Sequence, residues 1–124
     1  MQHSEGFLDL VQDAKSRVRE IDVQTIQQKL DRGDKFHFID VREDDEWSID
    51  HADRAEHMGR GVIERDIEAK IPDHDAEIVL YCGGGYRSIL TCDVAQKMGY
   101  RSAHSLIGGY KALKTAGWPI KGSI

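Results

Sequence analysis

The segment Tyr81-Cys82-Gly83-Gly84-Gly85-Tyr86-Arg87-Ser88 places a sulfur nucleophile directly ahead of three glycines and an arginine. Consecutive glycines open positive-φ conformations and put no side chain between the backbone and a ligand. Their amides, with those of Tyr86, Arg87 and Ser88, can converge on one point, and such a nest ahead of a helix is an anion site. The first anion it would serve is the Cys82 thiolate, since a free thiol is little ionised at neutral pH and converging N–H dipoles favour the charged, nucleophilic form. The same donors would hold a persulfide anion after sulfur capture, and the sulfonate-like oxygens of an incoming donor. Arg87 adds a fixed positive charge and a planar fork of donors. The plainer reading is an inert cysteine in a glycine-rich turn, but such a cysteine does not require this sequel. A phosphate-binding P-loop is excluded, because its terminal Gly-Lys-Ser/Thr is absent.

Other chemically capable residues are weaker candidates. Asp40 and Arg42 follow a predicted strand and can lie on the same face as Cys82. They either contact substrate or the loop arginine, or form a structural ion pair, and the sequence leaves both open. His51 is read as a capping or packing residue, because an amide-stabilised thiolate needs no general base. Cys92 is either a small core residue or a partner for an oxidised Cys82. Arg60 and Arg65 read as solvated charges outside the site. With no Cys-x-x-Cys pair and six scattered histidines, neither a dithiol motif nor a metal site is expected.

A chain of 124 residues suffices for one compact domain, and there is no repeat or low-complexity linker. The chain is 40% hydrophobic and 31% charged, the balance of a globular protein. A net charge of -5 argues against nucleic-acid binding. No apolar run suggests a membrane span and the N-terminus lacks a secretory pattern, so a cytoplasmic protein is expected.

Short apolar runs alternate with amphipathic segments, which predicts an α/β fold with a largely parallel sheet. Residues 1–17 read as a helical extension packed on the domain, with the domain proper over 18–124. Helices are predicted near 6–17, 24–31, 43–47, 62–69 and 110–116. Strands are predicted near 18–21, 36–40, 55–58, 78–81 and 103–106, with 50–61 otherwise a loop. After the glycine loop another helix follows, on which Leu90, Val94 and Met98 form an apolar row closed by Gly99.

Three segments together resemble a single-domain rhodanese: Ile39-Asp40-Val41-Arg42-Glu43 with Glu46-Trp47, the loop at 81–88, and Leu106-Ile107-Gly108-Gly109-Tyr110 with Gly117-Trp118-Pro119-Ile120. The resemblance runs over about 20–120. It implies a parallel sheet of about five strands with helices on both faces. It also implies transfer of sulfane sulfur, without a cofactor, from thiosulfate or a related donor to a thiol, cyanide or a thioredoxin-like protein. Cys82 takes the nucleophile's position, with Gly83, Gly84, Gly85, Tyr86, Arg87, Ser88, Arg42 and Asp40 as substrate-binding candidates. The sequence departs from the family at Asp50-His51-Ala52 and Asp53-Arg54-Ala55, where Gly-His-Ile and a Pro-Gly-Ala turn are usual, and at Tyr110, where tryptophan is common. The loop also lacks the extra basic side chains of some thiosulfate-specific members.

Two other functions compete. A phosphatase or arsenate reductase would use a Cys-x5-Arg loop, whereas Cys82 and Arg87 enclose only four residues, a cradle sized for one sulfur. A non-catalytic binding or persulfide-carrier module is the other alternative, since fold alone does not establish activity.

Overall fold

The structure, a computed structural model, describes residues 3–122. Five short strands form one parallel sheet: β1 (Arg19–Ile21), β2 (His37–Asp40), β4 (Glu56–His57), β5 (Ile78–Tyr81) and β6 (Ala103–Leu106), in the order β1-β6-β5-β2-β4. All four residues of β5 are buried. That follows from its central position, since a strand covered on both faces needs a continuous apolar run.

Side-chain alternation divides the core into two layers. Ile39, Ile78, Leu80 and Ala103 face α4 (Ile63–Lys70) and α5 (Arg87–Lys97), meeting Ile63, Ile67, Cys92 and Ala95. Phe38, Val79, Tyr81 and Leu106 face the opposite way, toward α2 (Val23–Asp31) and α6 (Gly109–Thr115), meeting Ile26, Leu113 and Trp118. Helices thus cover both faces of the sheet, as expected. Asp22 caps α2 by accepting from the Thr25 amide at 2.8 Å. Among the described residues no helix is long and apolar enough to cross a membrane.

Two features depart from expectation. The segment at 50–52 is not loop but strand β3 (Asp50–Ala52), paired antiparallel with β7 (Ile120–Gly122) in a separate two-stranded sheet. Each strand is three residues long and their partners lie some 70 positions apart, so neither carries a readable alternation. The helix predicted near 43–47 is present as α3 (Asp44–Ile49), opened by a reciprocal capping box between Glu43 and Glu46.

Helix α5 does not bury the row Leu90-Val94-Met98 as its core face. Ser88 to Asp93 and Ala95 are buried, while Val94 and Met98 are only half-buried. The cause is α1 (Glu5–Lys15), which lies on the outer side of α5 and packs Val11 and Ala14 against Ile89 and Leu90. Covered from two sides, α5 has little amphipathic pattern left to read. Arg17, just past α1, fastens the contact by a two-pronged pair with Asp93 at 3.1 and 2.8 Å.

Candidate active site

Cys82 leaves the carboxyl end of β5, two residues beyond Leu80 and therefore on the face covered by α5. The chain must turn at once from strand to helix, and Gly85 makes the turn at φ +96°. A Cβ there would come within 3.0 Å of the Gly108 amide nitrogen. The opposite side of the loop is pinned by the start of α6. The Tyr110 amide donates to the Cys82 carbonyl at 2.7 Å, and the Lys111 amide donates to the Gly83 carbonyl at 3.2 Å. Gly109 permits that approach, since a Cβ on it would collide with the Cys82 carbonyl oxygen. The Gly-Gly pair is thus a platform under the cysteine loop as well as a turn.

Two amides donate to Cys82 Sγ: Gly85 at 3.2 Å and Ser88 at 3.3 Å. Six were expected to converge. Helical geometry already begins at Tyr86, which has φ −92° and ψ −52°, so the following amides run up the helix axis instead of closing around one point. Ser88, in the first turn of α5, has an N–H with no intrahelical acceptor, and the sulfur serves as its cap. The Ser88 hydroxyl lies 3.5 Å from Sγ and 2.8 Å from Ser105 Oγ on β6. A neutral thiol would donate to Ser88 Oγ; a thiolate accepts from it, with Ser105 completing the chain. Ser105 had no signal in the sequence, because only the register that sets it beside Leu80 brings it here.

Cys82 is 1% exposed, yet as a residue it is not sealed away from the surface. It forms part of the floor of an open cavity of about 540 Å³, whose lining also includes Gly84, Tyr86 and Arg87. Gly83 faces a neighbouring cavity shared with Gly84, Tyr86 and Lys111. Arg87 does not reach over the sulfur as a free cation. Its guanidinium makes a two-pronged pair with Glu46 of α3, at 2.8 and 3.2 Å. That pairing holds the Glu46 carboxyl below its ordinary range and raises Arg87 above its own.

Asp40 and Arg42 stay out of the cavity. Arg42 Nε and Nη2 bind the Asp40 carboxylate at 3.0 and 2.9 Å, Nη2 also donates to the Asp50 carbonyl at 2.6 Å, and the guanidinium lies 4.3 Å from the Tyr110 ring centroid. Both residues are buried. Of the two roles the sequence allowed them, the geometry is that of a structural ion pair, tying β2 to β3 beneath the site. His51 stacks on Trp47 with ring centroids 3.5 Å apart. Cys92 is buried, and desolvation pushes its thiol up to about 12. Arg65 pairs with Asp66 on the surface at 2.7 Å.

Arg60 corrects the sequence reading. It is exposed but lines the same cavity as Cys82, and among the described residues it has no ion pair. Three residues of the N-terminal segment complete the wall. His3, Phe7 and Tyr86 form an aromatic cluster, with ring centroids 4.7 Å apart for His3–Tyr86 and 6.4 Å for Phe7–Tyr86. Phe7 was legible only as part of a helix stripe, and nothing in its local sequence connected it to the loop.

Residues 22–116 match the rhodanese-like domain family. The chain is 29% identical over 87 residues to the putative sulfurtransferase YtwF of Bacillus subtilis, covering 70% of this chain and 82% of that protein. It is 39% identical over 84 residues to the probable adenylyltransferase/sulfurtransferase MoeZ of Mycobacterium tuberculosis, covering 67% of this chain but only 21% of MoeZ. Among solved structures, RPA3614 of Rhodopseudomonas palustris, described as of unknown function and a possible tyrosine phosphatase, superposes with a TM-score of 0.82 at 24% identity over 98% of both chains. At that identity the superposition speaks for the fold. The match over most of the chain, the parallel sheet and the cysteine loop at its carboxyl edge place this protein in the rhodanese family.

Proposed function

We propose that the chain is a sulfurtransferase that takes sulfane sulfur onto Cys82 as a persulfide and passes it to a thiophilic acceptor. The observation that carries this is the environment of one residue: Cys82 Sγ receives the Gly85 and Ser88 amides at the start of α5, and Cys82 lines an open cavity. N–H dipoles aimed at Sγ stabilise negative charge there whenever that sulfur attacks a donor or departs from a persulfide.

The Cys82 thiolate attacks the outer sulfur of a donor such as thiosulfate. An S–S bond forms to Sγ, and the donor's S–S bond breaks with its electron pair leaving on sulfite. An acceptor thiolate or cyanide then attacks the terminal persulfide sulfur, and the Cys82 thiolate departs. No oxidant, reductant or metal is consumed. The acceptor is a small thiol, cyanide in the test tube, or a thioredoxin-like protein. The free state of both cysteines suits a cytoplasmic setting.

The phosphatase reading that accompanies one structural relative fits less well. A tetrahedral phosphoryl group needs several amides and a free arginine above the sulfur; here two amides point at Sγ and Arg87 is committed to Glu46. Intact-mass measurement tests the proposal. Reduced protein incubated with a sulfane donor should gain one sulfur, lose it to cyanide, and gain none as Cys82→Ala. Failure to load from any sulfane donor would refute it, as would phosphatase turnover that depends on Cys82.

A further inference from the structure

The cavity above Cys82 has a charge balance and a wall that favour a particular kind of donor. Thiosulfate is a small dianion, and bringing it to a thiolate calls for several unpaired cations. The loop's own arginine does not supply one, because Glu46 neutralises it through a two-pronged pair. Arg60 alone of the lining guanidiniums has no ion pair among the described residues. One cation suits one negative charge. The opposite wall is aromatic: Phe7 of α1 and Tyr86 of the loop stand edge to face, with the His3 ring beside them. Even with these two rings beside it, Tyr86 remains 41% exposed on the cavity wall. A cavity of about 540 Å³ is also far larger than an inorganic anion needs.

We propose that this site selects a monoanionic sulfane-sulfur donor carried on an apolar or aromatic body, such as an organic thiosulfonate, over inorganic thiosulfate. Phe7 and Tyr86 form the specificity wall, Arg60 holds the donor's oxygens, and Glu46 acts as a positioning residue that cancels the charge of Arg87. The proposal rests on the sulfurtransferase reading above and names its substrate class. The step balances: the Cys82 thiolate bonds to the terminal sulfur of R–SO2–S⁻, and the S–SO2R bond breaks with its electrons leaving on the sulfinate RSO2⁻. It also gives the N-terminal helix a role, since α1 supplies Phe7 and is held in place by the Arg17–Asp93 pair.

The test compares benzenethiosulfonate with thiosulfate as donors to the full chain, following thiocyanate formation with cyanide as acceptor. The wild-type protein should prefer benzenethiosulfonate in kcat/KM. Phe7→Ala should lower that preference by about fivefold, the scale of losing an aromatic contact. Glu46→Gln, which retains the capping-box geometry, should raise kcat/KM for thiosulfate by roughly three- to tenfold, mostly through KM, by freeing the charge on Arg87. A purely structural role for Glu46 would instead depress both donors together. The proposal is overturned if thiosulfate is the better wild-type donor, if Phe7→Ala leaves the preference unchanged, or if Glu46→Gln lowers both rates. A binding measurement separates this proposal from the reading it rests on. Should neither donor load Cys82, the sulfurtransferase reading fails, and titration of Cys82→Ala protein with benzenethiosulfonate decides the substrate class. Binding weakened by added Phe7→Ala supports it; binding indifferent to Phe7 overturns it.

Discussion

At the scale of single residues, the site is a contest between burial, which disfavours charge on sulfur, and the donors that oppose it. Cys82 and Cys92 are both buried, but their sulfurs meet different partners. Cys82 accepts two amides and lies 3.5 Å from the Ser88 hydroxyl. Cys92 makes a 3.6 Å contact to Gln96 Oε1, and burial pushes its thiol up to about 12. Brief iodoacetamide treatment of the native protein should therefore modify Cys82 alone, with Cys92 reacting only after denaturation; native labelling at Cys92, read by peptide mass, would contradict this. Ser88→Ala removes the hydroxyl and keeps the amide. It should slow sulfur loading by about three- to tenfold, the scale of one hydrogen bond to a charged group, with little change in melting temperature.

At the scale of elements, the cysteine loop is held from two sides, by the α5 amides on its sulfur and the α6 amides on its carbonyls. Gly109→Ala should therefore be more damaging than its modest φ of +55° suggests, because the new methyl meets the Cys82 carbonyl. A loss of roughly 2–3 kcal/mol in denaturant unfolding is expected, together with slower sulfur loading, for a clash against backbone that cannot yield. What could be read in advance follows the same physics. Strand β5 was legible because both faces are covered, so its run Ile78-Val79-Leu80-Tyr81 is apolar from end to end. The loop was legible because glycine, cysteine and arginine have few reasons to be neighbours. Strands β3 and β7 were not, since they pair across the chain through three polar-leaning residues each. Nor was the cavity position of Arg60, because an exposed arginine has the same local sequence whether it faces bulk water or a pocket. The sulfur's two-amide cradle, narrower than expected, depended on where helical geometry starts, and helix ends are the least legible feature of a sequence.

At the scale of the whole molecule, the N-terminal helix is joined to the rest by apolar contacts to α5 and by Arg17–Asp93. The Asp93 carboxyl is held below its ordinary range, first by its hydrogen bond from Arg17 and further by Lys97. A carboxylate with a depressed folded-state pKa contributes stability that is present above the unfolded value near ~3.9 and is lost as pH falls through the folded one. Asp93→Asn should therefore lower the melting temperature at neutral pH by roughly 3 °C. The gap between variant and wild type should close progressively below about pH 4; a gap that persists unchanged at pH 2 would contradict the linkage.

His3 borders the mouth of the cavity. Any polypeptide joined upstream therefore emerges beside the entrance through which donor and acceptor must pass. An affinity tag placed there would act as an unintended competitor for that doorway, and weak turnover by such a fusion would describe the tag.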